Sequence, residues 1–255
     1  MQHFPFDPLT LPYPVDSLEP FFQKSLVSDH YQNFYLPQLN ELNRLLKNCP
    51  ALHSAVLGKL LCFPSLIPSA CRRRVLESAG GVYCHQFYFF SLCPPRKPNR
   101  PDRVEKAICR EFESFEKFQI AFRSAALSIL GSGFVWLVML PKSYRLAIRV
   151  SSCYDVPVTD GCCPLLCLDM WEHAYCSCFH QRREEYLKGP QGTVTGINIF
   201  ICDHIIDRSR KSGNLIYRLV QSVEMCIRDR YRTEKSRVAL IPISQSAPAR
   251  HTAAS

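Results

Sequence analysis

The side chains with the most evident chemistry lie in Asp169-Met170-Trp171-Glu172-His173-Ala174-Tyr175, where a carboxylate and an imidazole stand four positions apart beside a second acid. Imidazole and carboxylate together suit a divalent first-row transition metal such as manganese or iron, whereas thiolates alone point to zinc or an iron–sulfur cluster. The spacing alone leaves a second explanation open, a hydrogen-bonded structural histidine, so the remaining donors must come from elsewhere in the chain. Fourteen cysteines offer another donor type. Their densest group, Cys162, Cys163, Cys167, Cys176 and Cys178, lacks the paired CxxC knuckles of a structural zinc site. Buried reduced thiols acting as small hydrophobes explain them better, and without a recognisable secretory signal no disulfide framework is expected.

A donor set of this kind needs a frame that brings distant segments together. Residues 17–46 carry a helical pattern, with Leu39, Leu42, Leu45 and Leu46 at helical spacing and Ser17, Glu19 and Pro20 at its expected start. Pro37 lacks a backbone donor and is expected to kink or break this helix near Phe34. A second helix is predicted from about Ser69 to Leu92, carrying Val75, Leu76, Val82, Phe89 and Phe90. The pair Gly80-Gly81 weakens it locally and marks a close approach by another element. Cys93 to Pro101 holds four prolines in nine residues and reads as a linker. Beyond it, Asp102 and Glu105 resemble a helix-capping pair, and two helices run to about Leu130, where Gly131-Ser132-Gly133 ends them. Three strands then follow at Phe134–Leu140, Arg145–Ser151 and Pro164–Asp169.

A chain of 255 residues, 47% hydrophobic and 21% charged, is long enough for one large or two small globular domains. No apolar run approaches the roughly 20 residues of a membrane span, and the expected compartment is the cytoplasm. The formal charge of +9 is uneven. Residues 187–255 hold eleven Lys or Arg against five Asp or Glu, leaving +3 for the first 186 residues. No nucleic-acid recognition motif accompanies this basic segment, so no nucleic-acid partner is expected.

Further segments place the acidic and imidazole run in a family. LPYPVDSLEP (Leu11 to Pro20), SLVSDH ending at His30, GGVYCHQFYFF (Gly80 to Phe90), GSGFVWL (Gly131 to Leu137) and DMWEHAY occur in an order and spacing that resembles the iron/manganese superoxide dismutases over about residues 5–186. The resemblance implies an α+β fold, with an N-terminal helical hairpin domain, a mixed α/β domain containing a three-stranded antiparallel sheet, and a metal between the two. It implies domains at 1–93 and 102–187 joined by a linker at 94–101, with residues 188–255 outside the family pattern. It makes His30, His85, Asp169 and His173 the ligands of one manganese or iron ion per subunit, manganese being favoured, with the fifth position left for solvent. The implied reaction is the disproportionation of superoxide anion to dioxygen and hydrogen peroxide, with no organic cofactor. Trp136 and Trp171 would wall the pocket, and Tyr88 would pack beside His85. Glu172 would reach across a two-fold interface to the partner's ligand histidine in a homodimer, with Tyr175 at the same interface.

The chain also departs from that pattern. Phe34 stands where the family has a gateway histidine, Tyr35 where a second histidine often follows, and Gln38 where a substrate-channel tyrosine is usual. Gln38 can hydrogen-bond bound solvent but cannot donate a phenol proton. The family's solvent-binding glutamine comes from the position of Gly81 in iron-type members and of Tyr154 in manganese-type members. Gly81 thus fits the manganese pattern, and Tyr154 leaves it incomplete. These departures define an alternative, a catalytically impaired member that keeps the fold and the metal site. After Arg182-Arg183-Glu184-Glu185-Tyr186-Leu187 the tryptophan-rich terminal helix of the family is missing, and Met225 to Arg230 resembles the translation of a sequencing adapter. Residues from about 188 onward are therefore expected to be an artefactual join or a disordered extension.

Overall fold

The computed structural model describes residues 2–92 and 103–188. In chain order the elements are α1 (Lys24–Asp29), a π-helical turn (His30–Tyr35), α2 (Leu36–Leu46), α3 (Leu57–Cys62), α4 (Ser69–Ser91), α5 (Arg103–Phe112) and α6 (Phe115–Leu127). Strands β1 (Gly133–Met139), β2 (Leu146–Ser152) and β3 (Cys163–Asp169) follow, then the short helices α7 (Cys176–Phe179) and α8 (Arg183–Lys188). The expected architecture is present: helices first, then a mixed region around a three-stranded antiparallel sheet in the order β2-β1-β3. The predicted linker and Asp102 lie outside the described residues, as does the segment from 189 onward.

The first helix differs from expectation in two ways. It starts at Lys24 rather than near Ser17, because residues 17–22 form turns in which Glu19 accepts a hydrogen bond from the Lys24 amide at 3.0 Å. Pro37 does not break the chain's helical course. It sits at the second position of α2, and the turn before it widens to a π-helix, with the Leu36 amide bonding back to Tyr31. A proline ring crowds the carbonyl four residues earlier and offers no N–H, so a wider turn relieves the clash without interrupting the helix.

Leucines 39, 42, 45 and 46 of α2 pack against α4, as their spacing predicts. From Ser78 to Ser91, α4 is buried on every side, which makes it the central post of the molecule. The N-terminal segment is pinned across α2 by a reciprocal pair, with the Phe6 amide donating to Asn43 Oδ1 at 2.8 Å and Asn43 Nδ2 donating to the Phe6 carbonyl at 2.9 Å. The sheet docks on the other side of α4. Ser91 Oγ accepts from the Cys167 amide at 3.0 Å and donates to the Phe87 carbonyl at 2.8 Å, tying β3 to the end of α4. Central strand β1 is buried almost throughout, whereas the outer strand β2 is largely half-exposed. Pro164 cannot donate to the ladder, and the register between β1 and β3 shifts at Leu137/Val138 opposite it. Below that shift the pairing is regular and ends with Asp169 opposite Phe134, which turns the carboxylate end of β3 toward α4.

Candidate metal centre

Four segments deliver the donors. His30 opens the π-helical turn, His85 lies in the buried middle of α4, Asp169 ends β3, and His173 falls in a 3-10 turn at Glu172–Ala174. One ligand atom from each lies within 4.8 Å of the other three, the one such group of three or more His, Cys, Asp or Glu among the described residues. His30 Nε2 and His173 Nε2 stand 3.3 and 3.4 Å from Asp169 Oδ2. His85 Nε2 stands 3.4 Å from His173 Nε2.

The neighbouring groups aim these atoms inward. His85 Nδ1 donates to the Gly81 carbonyl at 2.7 Å; a carbonyl can only accept, so the neutral ring carries its proton there and presents a lone pair on Nε2. Asp169 Oδ1 accepts from the Trp171 amide at 2.8 Å, and the Asp169 carbonyl accepts from the Tyr186 hydroxyl at 2.8 Å. Oδ2 is left free to point into the cluster. Both Oδ2 and His30 Nε2 are buried without a hydrogen-bond partner, despite their proximity. Such orphaned atoms cost on the order of 1–3 kcal/mol each, and a cation among the four donors would satisfy both. The donor set therefore fits a metal ion of the harder first-row type.

Charge states agree with that fit. Burial holds the His30 imidazole below its ordinary range, although Asp169 pulls the other way. Burial, reinforced by neighbouring His30, lowers His85 to about 3. Burial pushes the Asp169 carboxyl up, but the imidazoles of His173 and His30 beside it outweigh that and hold the group below the usual carboxylate range. Near neutral pH the cluster thus presents a carboxylate with unprotonated His30 and His85, the forms in which these groups coordinate metals.

The surrounding wall is aromatic and differs in detail from expectation. Phe34 stacks on His173 with centroids 4.0 Å apart and planes 17° apart. Trp171 faces His173 at 5.6 Å, as expected of a pocket wall, and stacks on Tyr154 at 4.8 Å. Trp136 is one layer removed: it packs on Phe87 and Phe134 and donates to Ser151 Oγ, while Phe134 reaches His85 at 6.4 Å. Tyr88 packs on His30 at 4.9 Å rather than against His85. One helical turn separates 85 from 88 on α4, and the tyrosine ring swings toward the π-helical turn. The Tyr154 ring stands 5.8 Å from that of His85; burial pushes its phenol up, with neighbouring Gln38 pulling the other way. Glu172 is exposed beside His173, and Tyr175 is buried and stacked on Tyr186 at 5.2 Å. Sequence reasoning missed Phe134, the Tyr186 hydroxyl and the Gly81 carbonyl. Only the last left a trace, in a glycine exactly one turn before a histidine.

Comparison with known proteins covers the same span. The alpha-hairpin domain of the iron/manganese superoxide dismutases matches residues 5–93, and their C-terminal domain matches residues 100–195. The chain is 34% identical over 185 residues to the manganese superoxide dismutase 2 of Bacillus anthracis, covering 72% of this chain and 88% of that protein. It is 34% identical to the manganese superoxide dismutase of Listeria monocytogenes (70% of this chain, 87% of the relative). The same identity holds to that of Pseudomonas aeruginosa (69% and 86%). Together with the buried set of three imidazoles and one carboxylate, these matches place the chain in the iron/manganese superoxide dismutase family.

Proposed function

We propose that the protein converts two superoxide anions and two protons into dioxygen and hydrogen peroxide, using one manganese or iron ion held by His30, His85, Asp169 and His173. The observation that carries this reading is the convergence of those four donors in the interior, with Asp169 Oδ2 and His30 Nε2 buried and unpartnered. When bound, the metal supplies two adjacent oxidation states, so that one superoxide is oxidised and a second reduced. Manganese is favoured because the relatives at 34% identity are manganese enzymes.

The chain's own groups do the rest. The Gly81 carbonyl fixes the His85 tautomer, and the Trp171 amide fixes the carboxylate rotamer of Asp169. The aromatic rings of Phe34, Trp171 and Tyr88 keep bulk water from the donors and lower the local dielectric, which strengthens each charge inside. Gln38 and Tyr154 are the polar side chains beside the His85 face and serve to hold a proton-bearing solvent molecule. Glu172, exposed next to His173, and Tyr175 form the contact of a homodimer in which each Glu172 steadies the His173 of the other subunit. Among the described residues no helix is long and apolar enough to cross a membrane, and we place the enzyme in the cytoplasm. No feature of the geometry or of the relatives favours a form that binds metal without turning it over.

Elemental analysis of the purified protein, paired with a superoxide-consumption assay, tests this reading. One manganese or iron per chain is expected, with metal and activity both lost in His85→Ala. Protein that is folded and soluble but takes up neither metal would refute it.

A further inference from the structure

Gly81 and Gln38 are matched across the hairpin. A Cβ built on Gly81 would lie 2.9 Å from Gln38 Cγ and 3.0 Å from its Cδ and Oε1, so the Gln38 carboxamide fills the volume that a side chain at position 81 would need. The same side chain is the polar neighbour of the Tyr154 phenol, which burial pushes up and Gln38 draws back down. Tyr154 lies flat on Trp171, with 15° between the planes, and its ring is 5.8 Å from that of His85. Gly81 is also the residue whose carbonyl receives the His85 Nδ1 proton at 2.7 Å. One half-buried side chain on α2 thereby touches the turn of α4 that orients His85 and the loop after β2 that carries Tyr154.

We infer that Gln38 is a positioning residue of the metal centre, admitted by the missing side chain of Gly81 and acting through Tyr154 and through the Gly81 peptide that fixes His85. The inference rests on the metal-centre reading given above. Without the carboxamide the Tyr154 phenol loses its polar neighbour, and the turn of α4 beside His85 loses the group packed at Gly81. Groups that orient ligands in this way typically alter metal affinity by about 10–100-fold when removed. The atoms that a new Cβ at 81 would strike first, Cγ, Cδ and Oε1, all belong to one flexible, half-buried side chain. Gly81→Ala is therefore expected to displace the carboxamide rather than distort α4, and so to reproduce the loss of Gln38. Two substitutions that remove one and the same interaction do not add.

The test is a cycle of wild type, Gln38→Ala, Gly81→Ala and the double variant, each loaded with manganese. Metal affinity is read by competition with a chelator, and the visible absorption band of the oxidised metal is read separately. Both single variants are expected to weaken metal binding about 10-fold or more and to move the band in the same direction, with no further change in the double variant. A Tyr154→Phe background should abolish most of the band shift caused by Gln38→Ala. An unchanged band and unchanged affinity in Gln38→Ala, with wild type holding one equivalent of metal, would overturn the positioning role alone. Effects of the two single variants that simply sum would overturn the size match. Wild-type protein that binds no metal would instead overturn the metal-centre reading on which the inference rests.

Discussion

Two adjacent glycines should respond to the same substitution in opposite ways. At Gly80 an added Cβ would lie 2.3 Å from the Tyr154 carbonyl oxygen and 3.2 Å from the Tyr154 Cβ, where ordinary contact begins at 3.4 Å. Relief requires about 1 Å of backbone movement in the loop after β2, which is held by Cys153 N to Ser132 O and Asp155 N to Ser152 O bonds of 3.0 Å each. Overpacking of that kind costs about 1–3 kcal/mol, and more where backbone must move. Replacing glycine by alanine inside a helix returns about 0.8–1 kcal/mol. We expect Gly80→Ala to lose about 2 kcal/mol net, which is about 4–8 °C in Tm for a chain of this size. At Gly81 the atoms nearest the Cβ all belong to the Gln38 side chain, which can swing aside, and the cost is one displaced polar contact of about 1 kcal/mol, offset by the same helical gain. Gly81→Ala should therefore stay close to wild type in stability. Thermal and urea unfolding of the metal-free proteins in chelator measures both. Equal losses at the two positions, or a stable Gly80→Ala, would refute the close-approach argument.

Acid should weaken the metal-free protein. His85 titrates at about 3 in the folded state against 6.5 in the unfolded chain, so between those values the unfolded state binds the extra proton and stability falls as pH drops. The depressed Asp169 acts in the same direction at the lower end of that window. Urea midpoints at pH 7, 5.5 and 4.5 should decline in order, and a flat or rising series would contradict the sign. Tyr186→Phe removes the donor to the buried Asp169 carbonyl and should cost about 1–3 kcal/mol without breaking the fold; urea unfolding indistinguishable from wild type would show that this bond holds nothing in place.

Much of this was readable from the chain, for reasons that differ by element. The three strands were found because β-branched and apolar runs are bounded by glycine or turn residues, and their observed ends fall within one residue of the prediction. Gly80-Gly81 announced a close neighbour, and Tyr154 and Gln38 are that neighbour. Asp169 and His173 are readable together because four residues separate them. His30 and His85 lie 55 positions apart, and only the family resemblance joined them before the fold did. The π-helical turn was not legible, since a hydrophobic pattern at helical spacing does not distinguish a single wide turn from regular α-helix. The family resemblance puts Trp136 at the pocket wall, yet the register of β1 sets Phe134 opposite Asp169 and leaves Trp136 two residues along, against Phe87. The resemblance also puts Tyr88 beside His85, but its ring meets His30 at the π-helical turn instead.

The departures from the family pattern on the hairpin look like separate losses in sequence, and the geometry joins them into one arrangement. Phe34, Tyr35 and Gln38 occupy the π-helical turn and the first turn of α2, so a single widened stretch presents all three. Phe34 gives up a polar ring and supplies instead a flat apolar face at 4.0 Å to His173, linking the hairpin to the sheet side of the metal centre. The Tyr35 ring stands 6.3 Å from that of His85, edge to face, while its hydroxyl accepts from the Leu9 amide at 2.9 Å and from Gln86 Nε2 at 3.2 Å. Gln38 uses the empty volume at Gly81, which fits the manganese pattern, and lies beside the phenol of Tyr154, which departs from it. A side chain at 81 would expel Gln38, and a shorter residue at 38 would take the polar neighbour from Tyr154. Substitutions that depend on one another in this manner keep the four donors fixed while the polar groups around them change place.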